Sequence, residues 1–372
     1  MKAIRIIYII IFALLLTLPG IYILASDDKE FSENENRYLA GAPEITAERF
    51  LKNKLQKDMT DYISDQFPAR NTFMETSTEI KKVAGYKDIN GAYLGSDGYY
   101  FEKISDTDIE DKKLKANMAT INKFALGNGL DTRVMLVPSS GSVLTENMPD
   151  GAKCYDYEAH LPADTDFKNI SILNAYEVLS QEAKASQVYY KTDHHWTSYG
   201  AYLGSSLLKE SAGLEIKSYD YYEPDVVSKE FYGTLYSKVL DKEAEPDTME
   251  LPKNLPSVSV EVAGGKDKLN GIYDEAKLEV KDKYAVFFGG NFGTVKINTG
   301  ANTGRNLLVI KDSFANSFVP YLFEDYDNIV MVDLRFYSGG VSDIVKECDI
   351  NEMLVLYEMS NFAKDMNFYK IK

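Results

Sequence analysis

The sequence predicts an α/β protein built on a parallel sheet with helices on both faces. Short apolar runs typical of buried strands alternate with stretches of helical spacing, most clearly at residues 306–310, 313–323 and 329–332. Alternation of this kind is typical of strand-helix-strand units, whose right-handed crossovers cover both faces of a parallel sheet. A length of 372 residues suits one large domain with an accessory segment.

The N-terminus predicts export from the cytoplasm. Lys2 and Arg5 precede an uncharged apolar run at residues 6–25, and acidic residues follow at once. Twenty apolar residues can span a bilayer, and the charge distribution places the start in the cytoplasm and the rest outside. We expect residues 1–25 to be a single-pass membrane anchor with an extracytoplasmic catalytic domain. The alternative is a signal peptide, whose cleavage would leave a secreted protein.

Residues 26–88 follow as an extracytoplasmic stalk with two helices. The first has apolar residues at helical spacing from 45 to 67 and stops at Pro68, and the second is expected at 71–83. Such a segment connects the anchor to the domain that carries the chemistry.

The catalytic domain is expected at residues 89–372 and opens with a hairpin turn at 96–98. Within it, residues 241–284 are rich in Pro, Lys and Glu and interrupt the alternation, which indicates an insertion at the rim of the sheet that serves as a lid or substrate wall. The other expected elements are helices near 113–126, 175–186 and 198–211 and strands at 133–137, 188–190, 258–262 and 352–357.

Composition argues against two classes of partner, and it does not decide whether the two cysteines pair. The net charge of −16 and pI near 4.8 argue against nucleic acid and anionic lipid, because both require a basic surface. Cys154 and Cys348 are the only cysteines, and they could form one disulfide or stay as two lone thiols.

Two distant segments hold the residue types that acyl transfer needs. Residues 193–196 contain two of the three histidines and the only tryptophan, and Ser313 follows an apolar strand at the start of a helix. Both segments are expected at the carboxyl ends of strands, where parallel sheets form their crevice. A serine at a helix start also has free N–H groups nearby to bind an oxyanion.

The spacing predicts the role of each residue. Asp193 and His195 leave the same face of an extended backbone, so the carboxylate can accept the imidazole Nδ1–H and orient the ring. His195 then serves as base for the nucleophile Ser313, with Asp193 orienting it. His194 is expected to point the other way, and Trp196 to wall the site.

Other interpretations of the same residues remain open. Two histidines beside an aspartate could bind zinc, although His160 is the only further histidine and no cysteine cluster exists. We therefore expect no metal and no other cofactor. Asp312 and Ser313 could simply cap a helix, since both residue types are preferred caps.

The chain also resembles the DHHW proteins, which are related to the SGNH-hydrolase-like proteins that O-acetylate alginate and other exported polysaccharides. The resemblance covers nearly all of the chain after the anchor. The segments that show it are 35–40, 65–70, 93–98, 193–196, 231–235, 289–291, 311–314 and 332–337.

The resemblance implies an SGNH-hydrolase-like (flavodoxin-like) fold and a triad of Ser313, His195 and Asp193 acting on acetyl esters. It also implies a polysaccharide acceptor and, as donor, a multi-pass membrane O-acyltransferase. Lys311 replaces the glycine of the usual Gly-Asp-Ser, so the oxyanion hole departs from the SGNH pattern.

Four further residues are candidates for the oxyanion or the substrate. Asn291 could supply an oxyanion donor or be a turn residue, and Ser140 follows the strand that ends at Pro138. Arg335 could bind a substrate hydroxyl or carboxylate, or form a rim salt bridge with Asp333. Trp196 completes this group.

The sequence therefore predicts a serine-dependent O-acetyltransferase or acetylesterase that modifies a cell-surface or secreted polysaccharide. Transferase and hydrolase are not distinguished by these residues. The rival from another class is a non-catalytic envelope or polysaccharide-binding module on the same fold.

Overall fold

The computed structural model describes residues 2–163, 167, 169–262, 269 and 271–371. The chain divides into two units. The first comprises Met1–Ile89 and Ser237–Glu243, and the second comprises Asn90–Tyr236 and Ala244–Lys372.

The first unit is mainly helical. Its elements are α1 (Lys2–Ala25), β1 (Phe31–Ser32), β2 (Arg37–Tyr38), α2 (Ala47–Leu51), α3 (Lys54–Asp65), α4 (Arg70–Val83) and β3 (Asp88–Ile89). Among the described residues α1 is the one helix long and apolar enough to cross a membrane, and signal sequences share these properties. The single helix expected at 45–67 is two helices, because Asn53 adopts a left-handed conformation with φ of 55° between them.

Two of the family-like segments form an ion-pair cluster in this unit. Asp65 accepts hydrogen bonds from both terminal nitrogens of Arg37, at 2.9 and 2.6 Å, and from the backbone N–H of Ala40. Glu35 accepts from Arg37 and from Arg70. Because the Asp65 and Glu35 side chains are only 9% exposed, these pairs hold the two segments together rather than facing substrate.

The second unit is built on a seven-stranded, mostly parallel sheet. The strands of this unit are β4 (Ala92–Leu94), β5 (Tyr100–Glu102), β6 (Asp131–Val137), β7 (Ile170–Ile172), β8 (Pro224–Phe231), β9 (Asp247–Pro252), β10 (Ser259–Val262), β11 (Thr294–Asn298), β12 (Asn306–Lys311), β13 (Asn328–Val332) and β14 (Glu352–Glu358). Seven of them form the main sheet, in the order β10-β11-β13-β12-β14-β6-β7. Across the sheet, β13, β12, β14, β6 and β7 pair in parallel, whereas β10 and β11 form an antiparallel edge next to β13.

Helices accompany this sheet along the chain. They are α5 (Asp111–Asn128), α6 (Ser140–Val143), α7 (Tyr157–His160), α8 (Ala175–Glu182), α9 (Ser198–Ser211), α10 (Thr234–Val239), α11 (Ala315–Phe318), α12 (Val341–Glu347) and α13 (Met359–Lys364). Residues 237–239 of α10 are counted with the first unit. The antiparallel β4 and β5 form the expected hairpin. Strand β10 shows that the insertion expected at 241–284 contributes one edge of the main sheet.

Both faces of the main sheet are buried. On β12, Leu307 and Val309 belong to one apolar core, while Leu308 and Ile310 belong to the other. Since successive side chains on a strand point to opposite faces, a sheet covered on both sides requires a continuously apolar strand. This is why the central strands can be predicted from the sequence.

Two expected elements differ near the site. Residues 188–190 are not a strand of the main sheet, and Tyr189 instead forms an isolated bridge with Trp196 that closes a loop. The helix expected at 313–323 is only α11 followed by a 3₁₀ turn over Val319–Leu322, where Pro320 cannot donate a helical hydrogen bond.

Candidate active site

Ser313 lies directly beyond the carboxyl end of β12. The carboxylate of Asp312 accepts the backbone N–H groups of Phe314 and Glu358, at 3.0 and 2.9 Å, and this fixes the turn. The backbone N–H of Ser313 has no hydrogen-bond partner among the described residues. It is therefore available to an oxyanion, although α11, with four residues, offers less dipole support than the sequence led us to expect.

The structure brings Ser313, His195 and Asp193 together. The Ser313 hydroxyl lies 2.7 Å from His195 Nε2, and Asp193 Oδ1 lies 2.5 Å from His195 Nδ1. Asp193 and His195 are buried, while Ser313 is partly exposed. Carboxylate, imidazole and hydroxyl thus stand in the order that proton transfer from a serine requires.

The local backbone differs from the expected extended strand. Asp193 Oδ1 also accepts the backbone N–H of His195 at 3.0 Å, which is an Asx-type turn. The turn places the carboxylate beside the ring without help from a sheet.

A second segment of the chain holds the other carboxylate oxygen. Asp193 Oδ2 accepts the backbone N–H and the hydroxyl of Thr234, at 2.7 and 3.1 Å. The preceding Gly233 leaves no room for a side chain, because a Cβ there would approach the Cα of Asp193 to 2.7 Å. The segment 231–235 therefore positions the carboxylate.

The charge states of the pair suit a base that is neutral at pH 7. Burial alone would raise the pKa of Asp193, but the two neighbouring imidazoles and its hydrogen bonds hold that pKa well below its usual range. Burial, reinforced by His194, lowers the pKa of His195 to about 4, against the opposing effect of Asp193.

Aromatic rings enclose the base. The ring of Tyr284 stacks on His195 with centroids 3.8 Å apart, and its hydroxyl hydrogen-bonds to Ser317 at 3.0 Å. The prediction that His194 points away is wrong, because its ring lies 3.9 Å from that of His195. The Asx-type turn explains this, since alternation of side chains holds only for extended backbone.

Trp196 supports the site from the interior. Its side chain is fully buried and its indole N–H lies 3.1 Å from the Phe314 carbonyl and 3.0 Å from Ser317 Oγ. The tryptophan therefore connects the loop of residues 193–196 to the serine turn by packing and hydrogen bonding, and it does not line an open site as expected.

Lys311 and Asn291 form a polar network beside the serine turn. Lys311 is fully buried, and its Nζ donates to Asn291 Oδ1 at 3.0 Å and to Asn316 Oδ1 at 2.6 Å. The Nδ2 of Asn316 also donates to Asn291 Oδ1, at 3.2 Å. Because two donors hold Oδ1, the Nδ2 group of the exposed Asn291 remains as a donor.

The other two candidates are not gathered at the triad. Arg335 pairs with Asp333 through two bonds, at 2.9 and 2.6 Å, and lines a separate cavity of 440 Å³ that also contacts Asp312. Ser140 is buried at the start of α6 and makes no hydrogen bond to the triad among the described residues. Cys154 and Cys348 are both free thiols.

The same loop also holds three potential metal ligands. Ligand atoms of Asp193, His194 and His195 lie within 4.8 Å of one another. However, His195 Nδ1 faces the Asp193 carboxylate and His194 Nδ1 faces the Thr234 hydroxyl, so the ring nitrogens nearest the carboxylate serve as hydrogen-bond partners. This arrangement fits a proton relay better than a set of converging ligands.

Comparison with known proteins tests the family resemblance. The family model of the DHHW protein matches residues 163–332. The resemblance to the DHHW proteins is confirmed. None of the curated proteins matches the sequence.

Solved structures share the fold of this chain. A DHHW family protein from Eubacterium siraeum is 22% identical, with a TM-score of 0.61, over 76% of this chain and 94% of that chain. Bacillus cereus PatB1 with a sulfonyl adduct is 24% identical, with a TM-score of 0.62, over 75% and 98%. A second PatB1 structure is 21% identical, with a TM-score of 0.62, over 74% and 98%.

The structure adds residues to which the sequence assigned no role. Thr234 and Gly233 lie in a segment that carried part of the DHHW resemblance, and that was the one available signal. Tyr284 lies at the end of the irregular region 241–284, where neither periodicity nor a motif marks it. Only the folded chain places these residues against Asp193 and His195.

Proposed function

We propose that this protein is a serine-dependent acyltransferase with an SGNH-hydrolase-like fold, which O-acetylates a polysaccharide through an acyl-Ser313 intermediate. The observation that carries the proposal is the hydrogen-bonded line from Asp193 through His195 to Ser313. Such a line, beside the available backbone N–H of Ser313, is suited to acyl transfer.

The first half of the reaction forms the acyl-enzyme. His195 Nε2 takes the hydroxyl proton of Ser313 as Oγ attacks the acetyl carbonyl, and Asp193 stabilises the imidazolium. The imidazolium then gives this proton to the leaving group of the donor. The Ser313 N–H and the Nδ2 of Asn291 are the proposed donors to the oxyanion.

The second half transfers the acetyl group. A hydroxyl of the acceptor loses its proton to His195 as its oxygen attacks the acyl carbon, and the proton returns to Ser313 Oγ when the C–O bond breaks. Water in place of the acceptor would make the protein an esterase. Tyr284 shields one face of His195, which supports transfer because it limits access of water to the base.

The proposed acceptor is a cell-surface or secreted polysaccharide. Tyr232 and Tyr236 flank Thr234, and their half-buried rings lie 4.6 Å apart. Aromatic rings provide surfaces on which sugars can stack, and here the Lys281 ammonium also lies over both rings, 5.3 and 4.3 Å from their centroids. As donor we propose a multi-pass membrane O-acyltransferase, which helix α1 would keep nearby if it acts as an uncleaved anchor.

Intact-mass spectrometry tests the nucleophile. The PatB1 structure carries a sulfonyl adduct, so a sulfonyl fluoride and an activated acetyl ester are suitable probes. We expect one adduct on Ser313, absent in Ser313→Ala, strongly reduced in His195→Ala and retained in Ser140→Ala. A folded wild-type protein that forms no adduct and turns over no ester would contradict the proposal and favour a polysaccharide-binding module.

A further inference from the structure

The hydroxyl of Thr234 determines which nitrogen of His194 carries a proton. This hydroxyl donates to Asp193 Oδ2 at 3.1 Å, and the buried carboxylate can only accept. A hydroxyl has one hydrogen to give. Towards His194 Nδ1, 2.6 Å away, Thr234 must therefore accept, and His194 Nδ1 must be the donor.

The neutral His194 ring consequently keeps a lone pair on Nε2. The position of Nδ1, 3.7 Å from Asp193 Oδ1, also favours the proton on that side. Within the described part of the chain, Nε2 has no hydrogen-bond partner. The His194 side chain is 25% exposed, against 6% for His195, so a molecule from solvent can reach it.

The ring that carries this acceptor atom lies beside the base of the reaction. The rings of His194 and His195 are 3.9 Å apart, and Tyr284 covers the other side of His195. An alcohol that approaches His195 from the His194 side meets two imidazoles in adjacent positions.

We propose that His194 Nε2 binds a hydroxyl of the acyl acceptor, next to the hydroxyl that reacts. The inference rests on the proposed function and deepens it: the acceptor is a polyol or sugar with neighbouring hydroxyl groups. The reacting hydroxyl gives its proton to His195, whereas its neighbour only donates a hydrogen bond to His194. No proton leaves that second hydroxyl, and no further reactant is needed.

Two isosteric variants separate this role from support of Asp193. Asparagine retains a polar atom near the position of Nδ1, and glutamine retains one near the position of Nε2. The acetyl adduct of Ser313 is formed with p-nitrophenyl acetate, and its decay is followed with glycerol or 1-propanol as acceptor. Glycerol has neighbouring hydroxyl groups, and 1-propanol has one hydroxyl.

We expect wild-type protein to transfer acetyl to glycerol in preference to 1-propanol. His194→Asn should lower transfer to glycerol about tenfold more than it lowers acetylation of Ser313, the loss expected from one hydrogen bond. His194→Gln should recover much of the preference for glycerol. Thermal melting of each variant verifies that it is folded.

Other results would overturn the inference. An unchanged preference for glycerol in His194→Asn, or rescue by Asn but not by Gln, would assign His194 to support of Thr234 and Asp193. Wild-type protein that hydrolyses the adduct but transfers nothing to glycerol would also reject it. Absence of any adduct in wild type is a different result, since it rejects the acyl-serine function itself.

Discussion

His195 Nε2 lies 2.7 Å from Ser313 Oγ, although 118 residues separate the two in sequence. The contact joins a loop closed by the Tyr189 and Trp196 bridge to the turn after a central strand. Burial of the indole of Trp196 against the serine turn holds the two together.

The first prediction concerns pH. A protonated His195 cannot take the Ser313 proton, and burial lowers its pKa to about 4. The rate of Ser313 labelling by a sulfonyl fluoride should therefore stay high down to pH 5 and decline only as pH approaches about 4. Intact-mass time courses from pH 3.5 to 8 would measure this, corrected for hydrolysis of the probe. A half-maximal rate near the ordinary histidine pKa of about 6.5 would contradict the prediction.

The second prediction concerns Gly233. In Gly233→Ala the new Cβ meets Asp193, so the carboxylate must leave its place beside His195. We expect acetylation of Ser313 to fall about a hundredfold or more, as is typical when a residue orienting the base is displaced. Gly127→Ala is the matched control, because nothing lies within 4 Å of its Cβ. Labelling of Gly233→Ala at the wild-type rate would show that Asp193 tolerates the shift.

The third prediction concerns Lys311. Burial lowers its pKa to about 8, from 10.5. Between these values the unfolded chain holds a proton that the folded protein has lost, so stability rises with pH. Wild type should thus gain up to roughly 3 kcal/mol relative to Lys311→Met from pH 8 to 10.5.

Urea midpoints at both pH values would measure this difference. The control is Lys229→Met at an exposed position, which keeps Lys311 and should change its stability with pH as wild type does. The Lys311→Met variant should also label Ser313 about ten- to a hundredfold more slowly, because Asn291 loses a donor that orients it. If the free energy of unfolding changed equally with pH in all three proteins, the lowered pKa of Lys311 would be rejected.

The fourth prediction concerns Trp196. In Trp196→Phe the carbonyl of Phe314 and the hydroxyl of Ser317 lose their shared donor in a fully buried place. We expect a loss of about 1–3 kcal/mol in the free energy of unfolding, together with slower labelling of Ser313. Urea denaturation would measure the first effect. Phe336→Leu is the control, since Phe336 is 60% exposed and should leave the midpoint in place.

The central strands and long helices could be predicted from the sequence because their signals are local. Strand β12 is apolar throughout, and α9 was expected at its observed bounds, 198–211. The expected strand at 188–190 was wrong, because an apolar run of three residues does not distinguish a strand from a buried loop. The helix after Ser313 was overestimated, because packing and Pro320 shorten it.

The sequence by itself determined the chemical types present at the site and the order of the central elements. Asp193, His195 and Ser313 stand out because histidine is rare in this chain and because the serine follows an apolar strand. Only the tertiary structure decided that Thr234 and Tyr284 meet these residues, that His194 faces the base, and that Arg335 pairs with Asp333. The physical reason is that periodicity reports which face of an element is buried, whereas contacts between loops depend on how distant segments pack.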